Sequence, residues 1–174
     1  AYFDNYVSVI DVAANVVIAN IPIPNTSLIN SLVVSPDNKY VYLTNSYNNS
    51  VTKIDIALNN VVAVIPVGIV PIDLAVTKDS SKIYVANLQS STVSVIDANT
   101  NMVIKTISTG ICPFKAKMHP SGQFTYVMNG ESATISVIRC NDDSIISTIA
   151  VPGVFYGTPK NDLVFTKDSN LALV

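Results

Sequence analysis

Val93-Ser94-Val95-Ile96-Asp97 is the stretch on which the fold turns, because the chain writes it four times. Its counterparts are Val7-Ser8-Val9-Ile10-Asp11, Val51-Thr52-Lys53-Ile54-Asp55 and Ile135-Ser136-Val137-Ile138-Arg139, at successive spacings of 44, 42 and 42 residues. A second series keeps step with it. Ser35-Pro36-Asp37, Thr77-Lys78-Asp79, His119-Pro120-Ser121 and Thr166-Lys167-Asp168 each follow a short apolar run, 42, 42 and 47 residues apart. A third runs from Tyr40 to Asn45, Ile83 to Asn87, Thr125 to Asn129 and Leu171 to Val174. Three motifs in one register define four repeats, approximately 1–44, 45–86, 87–128 and 129–174, within a single domain or part of one.

Each repeat holds four runs of four to seven residues rich in Val, Ile, Tyr and Thr, separated by Asn, Asp, Gly, Ser and Pro, which is strand and turn chemistry. In the second repeat these are Leu74 to Thr77, Ile83 to Asn87, Val93 to Asp97 and Val103 to Ile107. Short connections make neighbouring strands antiparallel. The pattern predicts an all-β fold, a β-propeller of four-stranded antiparallel blades. Asn38 and Gly122 stand where the turn after the first strand needs a left-handed residue. The aspartates at 11, 55 and 97 end the third strand, where a carboxylate accepts backbone N–H bonds, so their reading is structural.

The Tyr84-Val85-Ala86-Asn87 strand, followed by Val93 to Asp97, with Gly68 and Pro71 ahead of Leu74-Ala75-Val76 and Gly110 paired again with Pro113, resembles the YVTN family of β-propeller repeats. The first and last repeats depart from it, with two extra residues around Pro24 to Asn30 and a longer loop from Gly153 to Asn161. The resemblance implies a seven-bladed ring and a surface-layer-like role. Four repeats either close on themselves, by pairing Leu171–Val174 with Val7–Asp11, or form an arc of a larger seven- or eight-bladed ring completed by a second chain or by further sequence. An open arc leaves Val, Ile and Leu side chains uncovered, each worth roughly 1.5–3 kcal/mol.

Composition narrows the function classes. Across 174 residues, 49% are apolar and 13% charged, with net charge −2, so there is no basic field for nucleic acid. No apolar run approaches the roughly 18 residues that span a bilayer as a helix. A chain opening on Ala1 rich in uncharged polar side chains suits an exported or excised protein, and the expected location is extracellular or the cell surface. His119 is the sole histidine and fills the slot of Ser35, Thr77 and Thr166, so it reads as a turn residue; no histidine cluster exists to hold a transition metal. Cys112 and Cys140 fall on opposite faces of a blade, about 17 Å apart, beyond disulfide reach. Tyr42, Tyr84 and Tyr126 recur as core residues, with a carbohydrate platform as the other reading. Asn45, Asn87 and Asn129 recur as structural carboxamides, and Asn25 and Asn48 head Asn-x-Ser sequons.

The loops before each first strand converge on the central channel, and the equivalent positions there are Ser31, Asp73, Lys115 and Asp162, with Lys117 one step inward. A lysine between two aspartates takes a small polar ligand or a structural cation, or stands as a self-satisfied ion pair. The expectation is a non-catalytic scaffold or binding module without cofactor, partnered by protein or glycan surfaces or by self-association that completes the ring. The alternatives are a propeller enzyme, lactonase-like or a cofactor-dependent dehydrogenase, and a rigid spacer in an adhesin or fibre.

Overall fold

The computed structural model describes residues 6–24, 28–152 and 162–174. Sixteen strands and no helix are found among them. The strands are β1 (Tyr6–Asp11), β2 (Val16–Pro22), β3 (Ile29–Val34), β4 (Tyr40–Asn45), β5 (Ser50–Asp55), β6 (Asn60–Pro66), β7 (Pro71–Val76) and β8 (Lys82–Asn87). They continue as β9 (Thr92–Asp97), β10 (Met102–Ser108), β11 (Pro113–Met118), β12 (Phe124–Asn129), β13 (Thr134–Arg139), β14 (Ser144–Ala150), β15 (Val164–Phe165) and β16 (Ala172–Leu173). Strands β3–β6, β7–β10 and β11–β14 each form a complete antiparallel blade in simple sequence order, while β1–β2 and β15–β16 form a half-blade at either side.

The turns show why the repeat folds this way. Asn15, Asn59, Asn101 and Asp143 occupy one position, the turn between third and fourth strands, and all have φ between 49° and 57°. Asn and Asp tolerate this left-handed conformation better than other residues with a β-carbon. The carboxylates of Asp11, Asp55 and Asp97 accept backbone N–H groups in the same turn, at 2.9 Å in each case, as expected for structural residues. Asn38 and Gly122 close the first turn at φ 58° and 78°. Each third-to-fourth pairing carries one register shift, at Val9/Ile10, Lys53/Ile54, Val103/Lys105 and Val137/Ile138. A bulge there increases the blade's right-handed twist.

The core lies between the sheets. Tyr42, Val51 and Ile65 from one blade meet Leu74, Val76, Ile83 and Ile96 from the next. Tyr84, Val93 and Val95 then meet Ala116, Val127 and Ile138. Such face-to-face stacking is the propeller arrangement that the alternating apolar pattern requires. Strand β7 packs beside both β3 and β11, so the first strands are neighbours along the inner side. The ring is not closed by the described strands: β16 pairs with β15 and β1 with β2, and the Leu171–Val174 to Val7–Asp11 pairing of a closed four-blade ring is not formed. The Gly153–Asn161 loop and the Asn25 sequon lie outside the described residues, whereas Asn48 is exposed.

Candidate functional site

The first strand of each complete blade begins with an irregularity in its pairing to the second, between Ile29 and Leu32, Pro71 and Asp73, and Pro113 and Lys115. A bulge re-aims the side chain it carries. Ser31, Asp73 and Lys115 sit at these shifts, and the structure brings all three together with Asp162. Ser31 Oγ donates to Asp73 Oδ1 at 2.6 Å, and the Ala116 amide donates to Asp73 Oδ2 at 3.2 Å. Lys115 Nζ lies 3.8 Å from Asp73 Oδ2 and 3.6 Å from Asp162 Oδ1, and Lys117 Nζ lies 3.9 Å from the same Asp162 oxygen. All three ammonium–carboxylate distances exceed a hydrogen bond.

Two carboxylates of different character flank these lysines. The Asp73 side chain is 12% exposed and held by neighbours from two other blades, whereas that of Asp162 is 54% exposed and otherwise caps the Leu163 amide at 2.9 Å. An incoming anion can therefore displace Asp162 from both lysines without breaking a hydrogen bond to either. The structural cation considered for the channel has no such opening, because Lys115 stands between the two carboxylates and both Asp73 oxygens already accept hydrogen bonds. No group of three His, Cys, Asp or Glu able to hold a metal is found among the described residues.

A second polar cluster lies between blades and was not foreseen. Lys82 Nζ donates to Asp143 at 2.8 Å and to the Cys140 carbonyl at 3.0 Å, and the buried Tyr84 hydroxyl donates to Asp143. Burial pushes the Tyr84 hydroxyl far above its ordinary pKa, and the hydrogen bond to Asp143 pushes it further. One seam earlier the equivalent acceptors, the Ala98 carbonyl and Asn101, receive Lys53 Nζ at 2.7 and 3.1 Å. Burial depresses the Lys53 pKa, and burial likewise pushes Tyr42, whose hydroxyl has no partner, up to about 12. The sequence signal was Lys53 itself, a charge where the other repeats carry Val9, Val95 and Val137.

His119 does what its place in the turn predicts. Its Nδ1 accepts the Ser121 amide at 3.1 Å, so Nε2 carries the proton and donates to the Ser169 carbonyl at 3.2 Å. Phe165 packs edge-on against the ring at 4.8 Å between centroids. Tyr42 and Tyr84 are wholly buried core residues. The carboxamides of Asn45, Asn87 and Asn129 donate to hydroxyls of the third strand, including Thr52, Ser94 and Ser136 at 2.8–2.9 Å. Gly68 and Gly110 pack against Asn87 and Asn129 so closely that a β-carbon would lie 2.6 and 2.8 Å from them, which accounts for the recurring Gly before Pro71 and Pro113. Cys112 and Cys140 are free thiols, and burial followed by the nearby Glu131 raises the Cys112 pKa.

Residues 3–144 match the profile of the family described as "Cytochrome D1 heme domain". The chain belongs to the cytochrome D1 heme domain family. Among solved structures, it is similar to Kuenenia stuttgartiensis hydrazine synthase at 28% identity over 75% of this chain and 39% of that one, with a TM-score of 0.69. Dihydro-heme d1 dehydrogenase NirN, solved in complex with DHE, matches 97% of this chain and 37% of its own at 19% identity and TM-score 0.80. A functionally unknown Desulfotomaculum acetoxidans protein matches 82% and 48%, at 20% and 0.71. The chain thus spans less than half the length of each of these three solved chains. No curated protein matches it.

Membership of a haem domain family overturns the expectation of a non-catalytic, cofactor-free scaffold. The likeness to YVTN repeats holds at the level of the propeller, because the repeated residues are those that build blades. The one histidine nevertheless does not fit ligation of a haem iron: Nδ1 is held in its own turn and Nε2 by the Ser169 carbonyl, with Phe165 packed edge-on against the ring. The two lysines at the channel mouth do fit the carboxylates on a tetrapyrrole's edge.

Proposed function

We propose that this chain is a channel-forming arc of an enzyme-associated, haem-binding propeller. Lys115 and Lys117 take carboxylates at the edge of the cofactor or of an anionic substrate, and His119 is not the iron's ligand. One observation carries this reading: two ammonium groups face a single exposed carboxylate at 3.6 and 3.9 Å, with no hydrogen bond between them. Asp73, fixed by Ser31 and the Ala116 amide, holds Lys115 in place. Family membership supports the choice of a tetrapyrrole over other dicarboxylates.

Titration with ferric protoporphyrin IX, followed by absorbance, tests it. A charge-assisted hydrogen bond is worth about 1.5 kcal/mol, so Lys115→Ala together with Lys117→Ala weakens binding by at least about tenfold. His119→Ala leaves affinity and spectrum unchanged. Binding indifferent to both lysines, or an axial-ligand band that disappears with His119→Ala, overturns the reading.

A further inference from the structure

The two seams between complete blades carry equivalent cavities of opposite charge, on the side that bears the turns after the first and third strands. Between the first two blades the cavity has a volume of about 310 Å³ and is lined among others by Asp37, Lys39, Tyr40, Asp79 and Asn99. Between the second and third it reaches about 660 Å³, and its lining includes the residues 42 positions further on, Asp79, Ser81, Lys82, Ser121 and Asn141. Two carboxylates and one ammonium line the smaller cavity, whereas Lys78, Lys82 and Arg139 line the larger against the single carboxylate of Asp79. Arg139 stands where the repeat otherwise reads Asp11, Asp55 and Asp97, Lys78 where it reads Pro36, and Lys82 where it reads Tyr40. Lys82 is engaged by Asp143 and the Cys140 carbonyl, and Asp79 accepts the Thr77 hydroxyl and the Ser81 amide and hydroxyl at 2.6–3.1 Å. The other two cations are open. Lys78 forms no ion pair among the described residues, and its stem lies across the seam over Gly122, where a β-carbon would come 2.9 Å from Lys78 Cδ. The half-exposed Arg139 guanidinium lies 3.5 Å from Asp142 and donates no hydrogen bond among the described residues, since Asp142 accepts from Ser144 instead.

We infer that the larger cavity binds a small phosphate monoester, with the phosphate between Arg139 and Lys78 and the organic part against half-buried Phe124 and Cys140. The planar guanidinium offers a fork that takes two phosphate oxygens at once, and the ammonium adds a point charge. A phosphate monoester carries about −1.5 to −2 charge at pH 7, which matches two open cations. A lone carboxylate carries one charge and leaves one of them unmatched. The side-chain amides of Gln123 and Asn141, exposed at the same cavity, donate to the remaining oxygens. The volume falls within the roughly 300–1,000 Å³ of small-molecule sites. In the smaller cavity Asp37 and Asp79 repel the same ligand. The site lies beyond the opposite ends of β7 and β11 from Asp73 and Lys115, and the inference does not rest on the haem reading.

Calorimetric titration of the chain with phenyl phosphate, phenol and inorganic phosphate tests it. Phenyl phosphate binds, phenol does not, and inorganic phosphate binds more weakly than the ester because it leaves Phe124 and Cys140 without a partner. Arg139→Asp restores the residue that Asp55 and Asp97 supply at this turn, so the local hydrogen bonds of the fold are kept. Lys78→Gln keeps the stem over Gly122 and removes only the charge. Each substitution removes a charge-assisted contact and weakens phenyl phosphate binding by about tenfold or more, while the titration with ferric protoporphyrin IX is unchanged. Lysine acetylation read by mass spectrometry locates the ligand: phenyl phosphate slows modification of Lys78 and leaves Lys115 and Lys117 as they were. No binding by the parent chain overturns the inference, as does an affinity unchanged in either variant. Protection of Lys115 and Lys117 in place of Lys78 overturns it too, and so does inorganic phosphate or phenol binding as tightly as the ester.

Discussion

Asp143→Asn isolates the charge in the seam between the second and third complete blades. The substitution keeps a residue suited to the left-handed backbone at φ 56° and makes the third blade resemble its neighbours, where Asn15, Asn59 and Asn101 stand at this position. It preserves one acceptor oxygen for Lys82 or Tyr84 but replaces an ionised partner, now 2.8 Å from Lys82 Nζ, with a neutral one. Hydrogen bonds to charged groups contribute about 1.5–3 kcal/mol and neutral ones about 0.5–1.5. Lys82 is 23% exposed along its side chain, so solvent screens part of the difference and the expected cost is about 1–2 kcal/mol. For a chain of this length that lowers Tm by roughly 2–8 °C. The neighbouring seam provides the mirror experiment. Asn101→Asp offers Lys53 a carboxylate where it now has an amide at 3.1 Å, and stability rises by up to about 1 kcal/mol. Thermal and urea unfolding followed by circular dichroism measures both. If Asp143→Asn is as stable as the parent while Asn101→Asp is destabilised, the ammonium–carboxylate contact is not what holds the seam.

Gly68→Ala drives a β-carbon to 2.6 Å from Asn87 and Ser90 side-chain atoms, and the forced shift costs about 1–3 kcal/mol, read as a lower urea midpoint; an unchanged midpoint would show that the loop yields freely. Acid weakens the fold: hydrogen bonds from Ser35, Thr77, Ser144 and Thr166 hold Asp37, Asp79, Asp142 and Asp168 below their ordinary value of 3.8. The unfolded chain takes up these protons first, so the stability these carboxylates contribute is complete above about pH 4 and is lost as pH falls through their lower folded values. Urea midpoints from pH 6 to pH 2.5 follow this, and Thr77→Val should flatten the decline. Asp73→Asn loosens Lys115 and exposes its ammonium, which a faster rate of lysine acetylation at that site would report; no change in rate would remove Asp73 as its anchor.

The blade was legible because its instructions are local and repeated. Alternating Val and Ile, Asn or Asp at the left-handed turn positions and Gly against the strand-ending Asn each act within a few residues and recur near 42. That Ser31, Asp73, Lys115 and Asp162 lie together was legible for the same reason, since equivalent positions in stacked blades are neighbours. The interblade seam was not, because Lys53 and Lys82 come from different strands of their blades and meet equivalent acceptors only after the sheets stack. Nor was the family: a single histidine argued against a haem protein, and the residues that mark blades say nothing of what the channel holds.

Sequence alone determined that this chain builds successive four-stranded antiparallel sheets and which side chains point inward, because period-2 patterning and turn stereochemistry are properties of neighbouring residues. Tertiary structure decided that the described blades remain an open arc, that Asp162 is loosely held while Asp73 is fixed, and that an ammonium bridges each of two seams. Those outcomes depend on distances between residues 40 to 90 positions apart, which come into being only when one sheet lies against the next.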